Sequence, residues 1–477
     1  MKTTRKTLVL YAALVVLVLC TCVLAGPVRR LRPPRNPHSR YGPEYGCVKW
    51  QFQTGGPVTA SVALSHNKRR VYIPCEDGKL YALDAKSGSL LWSYDANSPL
   101  LGSPAVRPGG RVYVGASDGK LHAIGRRGQL LWTYPTEGAI YASPGLAAGQ
   151  IYACSLDGLV YSLASDGNEL WSFETDGFAT IDGAIFATPQ IGLDGTLYVA
   201  GVYDPNLYAL NPADGSIIWA RSFEAPVDPC DPNSPMMVGW PFASPSVAPD
   251  GTIYQTLLYN ANLYAVEPET GETIWSTDLA GTIVWLQEEQ PNYTFTFTWF
   301  GVGEPPEYIG GYRVKSVLGK NYRGGSMSKP ALARDGTIYV AFDDSYLRAV
   351  NPDGTVKWAT RLGSLDVGAL VGGFTLTVDD GGLIYAASDD NNLYVVDPDG
   401  NQIAQFQGDD WLSHPVIARD GTLLVSDANN TVWAISEQAC DGEEPVLDGA
   451  DEAKSKKPVK FKKRQVRKSK AGLRVRR

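Results

Sequence analysis

Ser244-Pro245-Ser246-Val247, then Asp250-Gly251-Thr252-Ile253-Tyr254, then Asn262-Leu263-Tyr264-Ala265-Val266 and finally Glu267-Pro268-Glu269-Thr270-Gly271-Glu272-Thr273-Ile274-Trp275 form one stretch of the chain. It holds four short apolar runs, each closed by turn residues. The runs alternate in and out, the period of a half-buried strand. Asp250-Gly251 and Thr270-Gly271 supply the positive-φ positions that tight hairpin turns need. The spacing predicts a four-stranded antiparallel meander. One meander cannot bury both of its faces, so copies must stack.

The chain supplies the copies. A Gly-x-x-x-Trp strand recurs at Trp92, Trp132, Trp171, Trp219, Trp275 and Trp358. Gly400 to Ala404 repeats the frame with Ala404 in the Trp position and Phe406 two residues on. The preceding strand occurs eight times, centred on Tyr81, His122, Tyr161, Tyr208, Tyr264, Arg348, Tyr394 and Trp433. The eighth copy has no outer strand after it. Gly46-Cys47-Val48-Lys49-Trp50, near the start of the chain, has the missing pattern. The expected fold is therefore all-β: an eight-bladed β-propeller of four-stranded antiparallel blades, closed by the N-terminal strand.

These residues resemble the quinoprotein-type propeller repeat, with its docking pattern Ala-x-Asp-x-x-Thr-Gly-x-x-x-Trp. Ala82 to Trp92 fits with Ser87 for Thr, and Ala265 to Trp275 fits with Glu267 for Asp. Ala209 to Trp219 fits with Asn211 and Asp214 at the same two places. The resemblance implies that Trp50, Trp92, Trp132, Trp171, Trp219, Trp275 and Trp358 dock each blade onto the next. A flat indole is suited to such packing. The repeat is similar to that of the pyrroloquinoline-quinone dehydrogenases. In that family the quinone lies over a disulfide between adjacent cysteines, beside calcium. It also resembles the propeller lipoprotein of the outer-membrane barrel-assembly machinery, a non-catalytic branch.

The cysteines separate these readings. Past the leader they are Cys47, Cys75, Cys154, Cys230 and Cys440, none adjacent to another, and no Cys-x-x-Cys-His attaches haem. The expected function is a binding or scaffolding propeller without catalytic activity, cofactor or metal. The alternative is a quinone-dependent dehydrogenase that holds pyrroloquinoline quinone and calcium in the central channel. The Asp-rich pieces Asp379-Asp380-Gly381 and Asp397-Pro398-Asp399-Gly400 lack the spaced ligands of a calcium loop and read as turns. Four histidines in 477 residues argue against a histidine metal site.

A candidate ligand site is legible in the channel. The position before each blade's Pro carries Ser103, Ser143, Thr188, Ser244, Lys329 and His414. Thr59 and Gly373 fill it where Pro is absent. Small residues suit close packing at an axis; Lys329 and His414 break the pattern. Glu137, Asp182, Trp240, Asp409, Asp410 and Trp411 stand on loops entering the inner strands. Convergent polar groups in a concavity are the usual mark of a site, and a solvated channel mouth is the competing reading.

The ends of the chain add three expectations. Residues 1–25 carry Lys2, Arg5 and Lys6 before an apolar run, the pattern of a signal peptide or of an uncleaved membrane anchor. Residues 26–45, rich in Pro and Arg, read as a linker to the propeller of residues 46–440. Either form of leader puts the body outside the cytoplasm, where disulfides persist. Cys47 and Cys440 stand at the two cut ends of the eighth blade. In an intact blade these positions are neighbours, so a disulfide between them is expected. From Trp50 to Cys440 there are 21 basic and 43 acidic residues, a balance of −22. Residues 441–477 read as a disordered tail, and Lys454–Arg477 holds 13 basic residues and no acidic one. That tail suits an anionic surface. An insertion at 284–326, with alternating aromatics, suits packing on its own blade or contact with a protein or envelope-polymer partner. A monomer is expected.

Overall fold

Each apolar run becomes a strand in the computed structural model. It describes residues 47–175, 187–201, 204, 206–223, 243–257, 260–279, 328–342, 346–362, 375–388, 390–410 and 412–436, and the backbone at 446–448 and 462–463. The insertion at 284–326, Cys230, Cys440 and the leader lie outside these residues. No helix among the described residues is long and apolar enough to cross a membrane.

Eight meanders are present. Blade 1 is Ala63–Leu64, Arg70–Pro74, Lys79–Asp84 and Leu90–Asp95. Blades 2 to 7 repeat it at 105–135, 145–174, 190–222, 246–278, 331–361 and 375–407. Blade 8 takes its first three strands from 416–436, and its fourth is Cys47–Gln53 from the other end of the chain. The expected eight-bladed propeller and its closure by the N-terminal strand are both observed. The closing strand adopts the register of the intact blades. Trp92 lies opposite Ala82 and Trp275 opposite Ala265, and Trp50 likewise lies opposite Ala434. A bulge follows that position in each of blades 1 to 7, and in blade 8 it falls between Val48 and Trp50. Such bulges sharpen the local twist.

The core lies between blades. There are eight apolar clusters, each shared by two neighbouring blades, and the last joins Trp50, Phe52 and Val432 of blade 8 to Val58, Ile73 and Leu83 of blade 1. Eight blades with eight shared clusters make a closed ring. This corrects one feature of the alternation reading. The two middle strands of a blade are buried on both faces, as along Val112–Gly115, because neighbours sandwich them. Alternation survives in the outer strands, where one face meets solvent.

The tryptophans do what the repeat implies. Each of the seven indoles donates its Nε1–H to a backbone carbonyl in the next blade's outer turn, at 2.8–3.2 Å. The ring also lies against the glycine of that turn. At Gly271, where φ is +73°, an added Cβ would sit 2.6 Å from Trp219 Cε3. Glycine is required there twice over: for its backbone conformation and for the indole's approach. A second aromatic contact backs several junctions, for example Phe52 on Tyr81 and Phe173 on Tyr208, with ring centroids 5.6 and 5.2 Å apart.

Ala404 is the exception. It lies opposite Val395, in the register of the other blades' tryptophans. The turn it would meet in blade 8 is the place where the chain is cut. Phe406 still packs edge-on against Trp433 at 5.5 Å. Two pieces of the segment expected to be disordered pair with blade edges. Val446–Asp448 runs parallel to Cys47–Gln53, and Lys462–Lys463 antiparallel to Gln402–Gln407.

Candidate ligand site in the central channel

The innermost strand of each blade begins near the propeller axis. Thr59, Ser103, Ser143, Thr188, Ser244 and His414 are each partly exposed between two buried neighbours. That pattern aims one side chain in three at the channel. Gly373 lies outside the described residues. Hydroxyls at this level tie neighbouring blades together: Ser244 Oγ accepts from Thr188 N at 2.8 Å, and Ser246 Oγ donates to the Pro330 carbonyl at 2.5 Å.

Lys329 reaches farther. Its Nζ donates to Gln190 Oε1 at 2.6 Å, from blade 6 to blade 4, bypassing blade 5. The Gln190 amide is held by its own Nε2, which donates to the carbonyls of Thr188 and Pro189 at 3.2 and 3.4 Å. Lys329 is open to solvent, yet the surrounding wall desolvates its ammonium and pushes its pKa down to about 8. An open side chain crowded by protein is what a narrow channel produces. At neutral pH the group is mostly charged, and no ion pair to it is found among the described residues.

His414, on blade 8, feels that charge. Burial first, and then the Lys329 ammonium, push its pKa down to about 4, so the imidazole is neutral at pH 7. Its Nε2 lies 2.9 Å from Thr377 Oγ1. Thr377 has one hydroxyl hydrogen and gives it to the Pro415 carbonyl at 2.5 Å. Nε2 must therefore carry the imidazole proton, which leaves Nδ1 an acceptor. The cluster thus offers a cation with two further donor hydrogens and a neutral imidazole with one lone pair. It can hold and orient a polar ligand.

Of the other expected members, Glu137, Asp409 and Asp410 are among the described residues. Glu137 is exposed, and its N–H donates to Asp157 Oδ2 at 2.9 Å on the loop into blade 3. Asp409 is exposed on the loop from blade 7 to blade 8 and acts on a different group, the buried Asp427. Asp410 is half-buried on the same loop. Asp182, Trp240 and Trp411 lie outside the described residues, as do Cys440 and the side chain of Cys47. Asp427 accepts from Thr431 N at 2.9 Å and Trp433 Nε1 at 3.3 Å. Burial pushes its carboxyl up to about 6; those hydrogen bonds oppose the shift, and the Asp409 charge adds to it.

Sequence reasoning missed Gln190, Thr377 and Asp427. Gln190 left a readable trace. It follows the inner-strand proline, where other blades carry Ala105, Gly145, Ser246, Ala331 and Val416. A long polar side chain in a column of mostly small residues marks a channel group. Thr377 left none, because its blade lacks the proline that aligns the column.

The quinone alternative asks for adjacent cysteines and a calcium ligand set. Cys75 and Cys154 are free, buried and on different blades, and burial pushes the Cys75 thiol up to about 12. Among the described residues no group of three or more His, Cys, Asp or Glu side chains is placed to hold a metal. These residues do not fit a quinone stacked on a disulfide beside calcium.

Known proteins share the repeat. Outer membrane protein assembly factor BamB of Nitrosomonas eutropha (strain DSM 101675 / C91 / Nm57) is 27% identical over 100 residues, 21% of this chain and 24% of that protein. Quinohemoprotein alcohol dehydrogenase ADH IIB of Pseudomonas putida is 33% identical over 109 residues, 20% of this chain and 15% of that protein. Each aligned stretch thus spans a quarter or less of the relative's own length. The crystal structure of BamB from Moraxella catarrhalis superposes with a TM-score of 0.61 at 16% identity, covering 82% of this chain and 99% of that one. That likeness shows the same fold. The family described as outer membrane protein assembly factor BamB matches residues 39–124, 76–228, 204–285 and 330–444, most of the chain, and this chain belongs to it.

Proposed function

We propose that the chain is a binding and scaffolding propeller that works outside the cytoplasm and holds protein partners of the cell envelope. Its outer strands carry the observation on which the reading rests. Leu90-Leu91, Leu130-Leu131 and Ile217-Ile218, just before the docking tryptophans of blades 1, 2 and 4, are each 40–50% exposed. Large apolar side chains repeated on several outer strands cost solubility and are a mark of partner surfaces. The family's name points to the same role. The basic tail adds contact with anionic surfaces, and the 284–326 insertion adds a further partner contact.

Photo-crosslinkers at Leu131 and Ile218, and at the polar Arg127 as a control, test this in the native envelope. Adducts of discrete size from the apolar positions alone, lost on Leu130→Glu, support the reading. Equal labelling from all three positions removes it. Stoichiometric uptake of pyrroloquinoline quinone with dye-linked alcohol or sugar oxidation would instead establish the dehydrogenase that the Pseudomonas relative suggests.

A further inference from the structure

Charge is shared unequally around one face of the ring. In each antiparallel blade the turn between the first two strands and the turn between the last two lie at the same end. In blade 1 these are residues 65–69 and 85–89, which carry Lys68, Arg69 and Lys86. In blade 2 they are residues 107–111 and 125–129, which carry Arg107, Arg111, Arg126 and Arg127. None of the four turns holds an acidic residue. The same turns of blades 3 to 7 hold thirteen acidic residues and one basic one, Arg334. In blade 8 the turn between the first two strands is balanced by Arg419 and Asp420. On the opposite face of blades 1 and 2 the sign reverses: residues 75–78 and 116–119 carry Glu76, Asp77 and Asp118 and no basic residue.

The protein does not neutralise this sector. Among the described residues none of its seven cations makes an ion pair. Asp84, just before the turn at 85–89, accepts from the N–H groups of Lys86 and Ser87 at 3.0 Å. Arg107 and Arg111 are half-buried and reach into blade 3, donating to the carbonyls of Gln150 at 2.6 Å and Ser165 at 2.8 Å. Those bonds fix the two charges in place without cancelling them. Lys68, Arg69, Lys86, Arg126 and Arg127 are exposed.

The four turns hold no apolar side chain larger than Ala85 and Pro108. A protein partner is gripped through buried aromatic or aliphatic anchors, and lysine is depleted from such interfaces. A layer of anionic headgroups asks only for positive charge at its surface. The chain also enters the ring at this face, in blade 8 beside blade 1, because Cys47 lies opposite Ser436 at the end of the third strand. We propose that the basic turns of blades 1 and 2 are a docking site for a bilayer that carries anionic phospholipid. The ring then stands tipped onto these two blades. The acidic turns, on other blades, are carried away from the bilayer, and salt screens charge within about 8 Å. The inference rests on the charges of the turns and stands whether or not the outer strands hold a protein.

Co-sedimentation of the full-length protein with phosphatidylcholine vesicles containing phosphatidylglycerol tests it. Lys86→Glu/Arg127→Glu should weaken partition about tenfold or more, since each lost charge counts for about fivefold. Lys86→Gln/Arg127→Gln should weaken it less. Arg334→Glu/Lys357→Glu, the same change of charge in blade 6, should stay within about twofold of wild type; any contribution of residues 454–477 is common to every variant. Equal partition of the blade 1–2 and blade 6 variants overturns the proposal. So does a photo-crosslinker at Arg127 that gives a protein adduct of discrete size in the native envelope, since the sector would then serve an acidic protein segment. The crosslinks expected at Leu131 and Ile218 can fail without touching the vesicle result, so the two readings are separable.

Discussion

Gly149 and Gly167 lie in the same blade and allow the tryptophan lock to be measured apart from backbone strain. Both have positive φ, +88° and +94°. A Cβ at Gly149 would meet nothing within 4 Å, whereas one at Gly167 would lie 2.7 Å from Trp132 Cδ2. Gly149→Ala therefore carries only the left-handed backbone cost, about 1–2 kcal/mol. Gly167→Ala carries that cost and must also displace the indole, whose Nε1–H donates to the Ser165 carbonyl at 3.2 Å. Forced overpacking of this kind adds about 1–3 kcal/mol. The two variants should thus differ by about 1–3 kcal/mol in equilibrium urea unfolding. In a ring of this size that corresponds to roughly 2 °C or less in thermal midpoint per kcal/mol. Trp132→Leu should remove most of the excess. In that background Gly167→Ala should cost no more than Gly149→Ala, a coupling that a double-mutant cycle reads directly. Equal destabilisation by the two glycine substitutions in the wild-type background would show that the indole does not bear on the turn and would refute the lock.

Three further outcomes follow from the charges and the seam. Asp427 is raised from 3.8 to about 6, so its folded form holds a proton that the unfolded chain gives up. The resulting stability is full below pH ~4 and fades as pH rises through about 6, by up to about 3 kcal/mol; Asp427→Asn should flatten that part of the pH–stability curve measured by thermal unfolding. The Lys329 side chain should titrate near 8 in a 13C NMR pH series. Lys329→Met should raise the His414 pKa from about 4 while burial still holds it below 6.5, and a His414 midpoint that does not move would separate the two groups. Cys47, whose backbone lies opposite Ser436, should form a disulfide with Cys440, closing a loop of nearly four hundred residues for on the order of 5 kcal/mol; free alkylation of both thiols in protein purified without reductant would exclude it.

The fold was legible because the repeat states it eight times. Spacing, turn glycines and Gly-x-x-x-Trp strands each point to a blade, and the orphan piece at Gly46–Trp50 specifies the closure. Local pattern and global arrangement agree, which is when sequence reading works best. The channel was half legible. Lys329 and His414 stand out because they interrupt a column of small residues. Gln190 does the same one position later, but only the column itself reveals it. Thr377 and Asp427 have ordinary neighbours in sequence, and burial and partner geometry alone give them their chemistry. Glu137 and Asp409 are exposed on the loops that lead to inner strands, and exposure alone does not say which face of the ring they serve. The double burial of the middle strands was also hidden, since alternation describes a single sheet and not one pressed between two others.

In a ring of near-equivalent junctions, what distinguishes one blade from another must lie in departures from the repeat. Two groups of described departures stand out. One is inside: Gln190, Lys329 and His414 come from blades 4, 6 and 8 and act on each other across the channel, by a 2.6 Å hydrogen bond and by charge. The other is outside, at blades 7 and 8, where Ala404 replaces the indole and the tail adds strands to both edges. Blade 8 belongs to both groups. His414 precedes its inner strand, and Cys47–Gln53 is its outer one. Blades are stiff because their middle strands are packed on both faces. Across blade 8 the strands pair in turn from Cys47–Gln53 through Thr431–Ser436 and Leu423–Ser426 to Val416–Ile417, beside His414. Thermal unfolding with and without the tail, followed at the Lys329 side chain by NMR, reads whether the seam and the channel respond together. A Lys329 titration that stays near 8 when residues 442–477 are removed would make them independent; a shifted midpoint would make the closing blade the element that couples them.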